Sequence, residues 1–261
     1  MLSSTLNVMG DGPKDIGKHP LVTQLMKGIY HMKPPTPKYN NTWDPSVVLS
    51  HFDATAGREL SMLQLARKVV TLLALTTLLR CAEITSIQRE SIIFSGSKVS
   101  FSLGTLRKSQ RSGSLMRYSV SEWTPNRAIC PLTCLRTYLE KTSPLRSSHN
   151  EKQLLIGSTK PHNPVTSSTV GRWIKDQLKE AGIDTSVFSA HSTRGAAASK
   201  AASAGVPIQS ILNQGHWATE STFSKFYRRE TSAEQNTIES AILEDANSKS
   251  DWFILLFLSS S

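Results

Sequence analysis

Four short stretches of this chain hold residue types able to act on an anion. Arg80-Cys81-Ala82-Glu83-Ile84 closes a long apolar run, and Leu106-Arg107-Lys108-Ser109-Gln110-Arg111-Ser112-Gly113 forms a basic turn. Ala190-His191-Ser192-Thr193-Arg194-Gly195 opens an alanine-rich segment. Gly215-His216-Trp217 then precedes Thr222-Phe223-Ser224-Lys225-Phe226-Tyr227-Arg228-Arg229. Guanidiniums are permanently charged and grip oxyanions bidentately. Lysine and histidine can move protons, and a tyrosine hydroxyl is a nucleophile once its proton is released. Each stretch taken singly also has a plainer reading. An arginine at a helix end is usually a surface ion pair or a cap, and a basic turn is usually just solvated. His-x-x-Arg is a common tetrapeptide, and a tyrosine among phenylalanines normally belongs to a core. No single stretch decides anything.

The elements that must position these residues emerge from composition and periodicity. At 261 residues, 38% hydrophobic and 19% charged, the chain is long and apolar enough to bury a real core, which argues against wholesale disorder. The pattern becomes globular near Gly57. Met62 to Leu79 is apolar on most faces, which predicts a buried central helix with Arg80 directly after it. Ser91–Phe94, Lys98–Leu103 and Leu115–Val120 read as strands around the basic turn. Leu132–Lys141 reads as a helix and Leu154–Ile156 as a short strand. Val170, Trp173, Ile174, Leu178 and Ala181 mark an amphipathic helix with Ser167 or Ser168 as N-cap and Gly182 as its stop. His191–Ala204 is a helix ended by Gly205, Pro207 opens another, and Phe223, Phe226 and Tyr227 lie on a last short one. The fold class expected is mainly α with a small antiparallel β-sheet, an α+β arrangement.

The division expected is a linker or remnant over residues 1–44, a globular domain over 45–235, and an acidic then apolar tail over 236–261. The linker reading rests on the run Lys33-Pro34-Pro35-Thr36-Pro37-Lys38. Thirty Lys and Arg against twenty Asp and Glu give a formal net charge of +10. That excess favours a polyanionic partner, although a basic domain without one would look the same. Cys81, Cys130 and Cys134 are too few for a disulfide framework and lack zinc-ligand spacing, so buried thiols in a reducing compartment are expected. The N-terminus lacks a signal-peptide core. The apolar run Trp252–Leu258 is far short of the ~20 residues of a membrane span. The expectation is an intracellular protein with no membrane partner, nuclear if its host is eukaryotic.

Arg80, a hairpin lysine, His-x-x-Arg, Gly-His and Tyr227, met in this order over about residues 45–230, resemble the signature of the tyrosine recombinase (phage integrase) family. Trp43-Asp44-Pro45 and the run Trp217-x-x-x-Ser221-Thr222-Phe223-x-x-Phe226-Tyr227 look more like recombinases of eukaryotic DIRS- and Ngaro-type retroelements than like bacterial Xer proteins. The resemblance implies the tyrosine recombinase catalytic-domain fold, double-stranded DNA as partner, and self-association as dimer or tetramer on DNA. It implies no cofactor and no metal. It makes Tyr227 the nucleophile, Arg80 and Arg194 the phosphate-binding pair, Lys108 the acid for the leaving oxygen and His191 an accessory acid/base. Glu83 braces the first arginine. His216 follows the glycine as in bacterial members and is preferred for the His/Trp position, while Trp217 has the retroelement spacing. Arg107, Arg111, Arg117, Arg228 and Arg229 are expected to contact DNA backbone.

Two other readings stand beside this one. A type IB topoisomerase shares the chemistry, but its linker and cap regions are not found here. A catalytically inactive or truncated DNA-binding remnant is the second. It follows from the residues before the match, which do not read as the helical core-binding domain that usually completes the family's clamp. Ile238, Ala241 and Ile242 could form a docking stripe, whereas 252–258 read as a non-native end.

Overall fold

A computed structural model of the chain describes residues 16–34, 36–107, 110 and 112–227. The contacts divide the chain into one unit up to Tyr39 and a second from Asn40 onward. The first unit, expected as linker, contains a helix, α1 (Pro20–Met32). His19 caps it by accepting the Leu21 N–H on Nδ1, and Pro20 sits at the first position, where its missing N–H costs nothing. Leu21, Leu25, Met26, Ile29 and Tyr30 are exposed along it.

In the second unit α2 (Pro45–Ala54) starts at Asp44, whose carboxylate accepts the Ser46 N–H at 2.9 Å. This helix was missed in the sequence because only Val48 and Phe52 bury an apolar side chain beyond its first residue. The predicted central helix is present as α3 (Met62–Thr77), opened by a reciprocal Ser61–Gln64 capping box. It is buried on most faces, through Leu65, Ala66, Val69, Val70, Leu72, Leu73 and Ala74. It packs against α4 (Cys81–Thr85), α5 (Pro131–Thr142), α6 (Ser167–Glu180) and α7 (Ser192–Ser203). The chain continues into α8 (Ile208–Gly215) and α9 (Glu220–Phe226). The N-cap of α6 is Thr166, one residue before the expected serines, and Gly182 past its end has φ +89°.

Three strands, β1 (Ile93–Ser95), β2 (Lys98–Ser102) and β3 (Arg117–Ser121), form an antiparallel sheet in sequence order. Val99 pairs with Val120 and Phe101 with Tyr118, so one face is continuous and apolar against the helices. Leu154–Ile156, expected as a strand, is buried but makes only an isolated bridge from Ile156 to Pro164. The mainly α architecture with one small antiparallel sheet is the one expected.

Two apolar clusters form. The larger unites α2 to α6 with the sheet. The smaller, of Leu78, Ala198, Ile211, Leu212, Trp217 and Phe223, ties α7, α8 and α9 together. All three cysteines are free and buried. Trp43, 5% exposed, belongs to the larger core and donates its indole N–H to Ser192 Oγ at 2.8 Å, at the start of α7. Asp44 pairs with Lys200 further along the same helix at 3.3 Å. Trp43→Phe keeps most of the ring but deletes the buried bond, so urea denaturation should show a loss of about 1–2 kcal/mol. An unchanged midpoint would mean that this bond does not hold α7.

Candidate active site

The long apolar helix does not run on into Arg80, as its sequence suggests. It stops at Thr77, and Leu78 turns the chain in the left-handed region at φ 57°. For a leucine that conformation costs about 1 kcal/mol, which burial in the smaller core offsets. Arg80 thereby becomes the residue before a new helix, α4, instead of the tail of α3. Its backbone N–H donates to Glu83 Oε2 and its Nη1 to Glu83 Oε1, both at 2.8 Å.

Glu83 is 7% exposed and its Oε1 also accepts from Arg107 Nε at 2.7 Å. Arg107 reaches it because β2 continues through a bridge between Leu103 and Ile87, just past α4, before the basic turn begins. Burial raises the Glu83 carboxyl's proton affinity. The hydrogen bond from Arg107, that from the Arg80 N–H and both positive charges outweigh burial and hold it below the usual carboxylate value.

Arg194, on the first turn of α7, is 4% exposed. Its guanidinium carbon lies 4.2 Å from the Trp217 ring centroid and 5.5 Å from that of Tyr227, and its Nη2 donates to the Gly215 carbonyl. Burial, then the charge of Arg80, push its proton affinity down to about 10, so it remains a cation at neutral pH. Trp217 and Tyr227 have ring centroids 4.7 Å apart, and the Phe223 ring lies 5.2 Å from the indole, both pairs tilted. Gly215 is required here, since a Cβ on it would run into the Trp217 ring. Tyr227 is the residue after α9, and its carbonyl accepts from Ser199 Oγ of α7 at 2.8 Å.

His216 has φ 50° at the end of α8, which turns its ring toward Tyr118, 6.1 Å away on β3. Burial first, and then the charge of Arg107, lower its proton affinity, so it is a neutral ring at neutral pH. Tyr118 is buried with no partner for its hydroxyl among the described residues, and burial raises its pKa. Sequence reading missed Tyr118 as a site residue. The available signal was its inward phase on the strand directly after the basic turn.

The structure therefore brings together Arg80, Glu83, Arg194, His216, Trp217 and Tyr227. His191 lies just before α7 with an exposed ring, outside the buried cluster. Arg117 is exposed and donates to Ser100 Oγ at 2.8 Å. Arg107 differs from expectation: it is 4% exposed and locked to Glu83, so it cannot be a solvated contact of the hairpin surface. Lys108, Arg111, Arg228, Arg229 and the 236–261 tail lie outside the described residues.

Two guanidiniums thus share one carboxylate, and that of Arg194 lies close enough to feel their charge, an arrangement that repels itself unless an anion joins it. Because the folded carboxyl of Glu83 lies below its unfolded value of ~4.3, its stabilisation is complete above that pH. It is lost as the pH falls through the folded value. Glu83→Gln should lower stability at pH 7 by about 3 kcal/mol. It should also flatten the loss of stability as the pH falls below roughly 5, measured by urea melts down the acid range. Parallel pH curves for the two proteins would show that another carboxylate holds the arginines.

The model of the phage integrase family matches residues 49–234. No curated protein matches the sequence. Among solved structures, the XerH site-specific recombinase in a post-cleavage complex with palindromic difH superposes with a TM-score of 0.54 at 11% identity. That match covers 70% of this chain and 48% of XerH, so the chain spans about half of XerH's length. XerA recombinase superposes with a TM-score of 0.53 at 16% identity, covering 95% of this chain and 80% of XerA. At such identities the likeness speaks for the fold, and the family match covers most of the sequence. This chain belongs to the phage integrase family and carries the fold of the tyrosine recombinase catalytic domain.

Proposed function

We propose that the chain is a site-specific recombinase that cuts and rejoins double-stranded DNA through a 3′-phosphotyrosine link. One observation carries this reading: Arg194 is buried against the ring of Tyr227, with its Nε and Nη1 unpartnered among the described residues, beside an arginine pair on Glu83. Buried donors without acceptors suit a ligand that brings its own oxygens.

In the step proposed, the Tyr227 hydroxyl gives its proton to His191, acting as base, while its oxygen attacks the scissile phosphorus and a new P–O bond forms. The bond from phosphorus to the 5′-oxygen breaks, and that oxygen takes a proton from Lys108. Arg80 and Arg194 hold the non-bridging oxygens, whose charge grows in the five-coordinate transition state. Elsewhere a pair of metal ions fills this role. His216, neutral and with one N–H to give, donates to the same phosphate, and Trp217, in contact with both Arg194 and Tyr227, holds their positions. His191 acts as accessory acid/base at the rim. The phosphotyrosine retains the energy of the broken ester, so attack by another 5′-hydroxyl reverses the step.

Arg111, Arg117, Arg228 and Arg229 serve as backbone contacts, and the enzyme works as a dimer or tetramer on DNA. XerH is known bound to difH before and after cleavage, which supports DNA as the substrate here. The run from Trp217 to Tyr227 supports descent from a eukaryotic mobile element of the DIRS or Ngaro type, acting in the nucleus.

The test is incubation with supercoiled plasmid, followed by denaturing capture of protein-linked DNA. Wild type should give covalent adducts, and Tyr227→Phe should give none while still shifting DNA in a gel. Adducts in neither protein, with DNA binding kept in both, would make the chain a binding module and end the recombinase reading.

A further inference from the structure

Arg107 is buried more completely than any surface contact needs, and its hydrogen bonding is incomplete in a telling way. Its side chain is 2% exposed. Nε donates to Glu83, whereas Nη1 and Nη2 are buried without a partner among the described residues. Arginines with a purely structural task in this chain show the opposite pattern. The fork of Arg146 is fully used, by the carbonyls of Asn150, Gln153 and Leu154 and the hydroxyl of Thr142. The fork of Arg67 pairs with Asp176 and Glu180. In both, only Nε is left over. Arg107 and Arg194 alone of these four leave fork nitrogens empty while buried, and both stand by the proposed phosphate site.

A brace for Glu83 accounts for Nε and for nothing else. Burying a permanent cation with two unmet donors is costly, and native structures retain such groups where a ligand completes them. Charge counting agrees. Arg80 and Arg107 already share one carboxylate oxygen, so Arg107 adds a positive charge that Glu83 cannot neutralise. The position is right as well, because the charge of Arg107 bears on His216 and Tyr118.

We infer that Arg107 is a third phosphate-binding guanidinium, whose Nη1 and Nη2 hold a non-bridging oxygen of the scissile phosphate while Nε holds Glu83. This rests on the reading of the site as a phosphate pocket. It also explains why the residue is arginine. A lysine's donors all leave one nitrogen, so it cannot hold the carboxylate on one edge and the phosphate bidentately on another, as the planar guanidinium can.

The experiment uses the full chain and inorganic phosphate, titrated against chloride at matched ionic strength, with binding read from the melting temperature. Wild type should bind saturably, and Arg107→Lys should bind at least tenfold more weakly while melting cooperatively without phosphate. Wild-type affinity in Arg107→Lys, or no saturable binding by wild type, would overturn the inference. If Arg107→Lys does not fold, the guanidinium nitrogen resonances of the wild-type chain decide. Three arginines shift on phosphate addition if Arg107 is a ligand, and two if it only braces Glu83. Plasmid adducts scored in parallel separate this inference from the proposed function. Tenfold weakening without Tyr227-dependent adducts would sink strand transfer and keep the phosphate site. Adducts and phosphate affinity both unaffected by Arg107→Lys would remove Arg107 and keep strand transfer.

Discussion

Glu83 Oε1 accepts hydrogen bonds from Arg80 and Arg107 at 2.8 and 2.7 Å, and most of the site depends on that shared oxygen. To make the contact, α3 must stop before Arg80, which Leu78 accomplishes in a left-handed turn. The sheet must also deliver its basic turn beside α4, which the Leu103–Ile87 bridge accomplishes. A buried ion pair of this kind contributes little net stability, because desolvation consumes most of the attraction. Its effect is positional. Two guanidiniums that would otherwise swing into solvent are held at fixed places, with one more positive charge than the carboxylate can balance.

The second half of the site is built on rings instead of charges. Trp217 fills the space above Gly215, meets Arg194 on one side and Tyr227 on another, and contributes to the smaller apolar core. Packing fixes ring planes more tightly than a flexible ion pair fixes side chains, so the hydroxyl-bearing ring gains a defined approach. The hydrogen bond from Ser199 to the Tyr227 carbonyl ties α9 to the helix that bears Arg194. Trp43 then ties the start of that helix to the larger core. The arginine and the tyrosine are thus positioned through one connected set of contacts.

Much of this was legible in the sequence, and the exceptions have physical causes. The central helix, the three strands and α5 to α9 were readable because apolar periodicity and caps agree with tertiary burial in those segments. α1 escaped because its apolar residues stay exposed, and α2 because too few of its residues turn inward to make a stripe. Leu154–Ile156 carries a strand-like apolar run, yet its neighbours offer isolated bridges at Gln153 and Ile156 with different partners, so burial did not translate into a ladder. At the site, residue order was enough to single out Arg80, Glu83, Arg194, His216, Trp217 and Tyr227. Order could not reveal that Arg107 faces inward. In a run such as Leu106-Arg107-Lys108 every cation looks solvated, and only the partner 24 residues earlier distinguishes one of them.

That distinction divides the chain's positive charge into two kinds. Exposed cations such as Arg117 act through high-dielectric solvent, where salt screens them beyond roughly 8 Å at physiological ionic strength. They can gather a polyanion but cannot favour one oxygen over its neighbour. Arg107 and Arg194 are buried in a poorly polarisable setting, where screening is weak and direction matters. A charge placed there is repelled by its fellows until an anion arrives, and it responds most to charge that grows close by. Buried cations around a tyrosine ring are therefore suited to a reaction in which negative charge builds on phosphate oxygens.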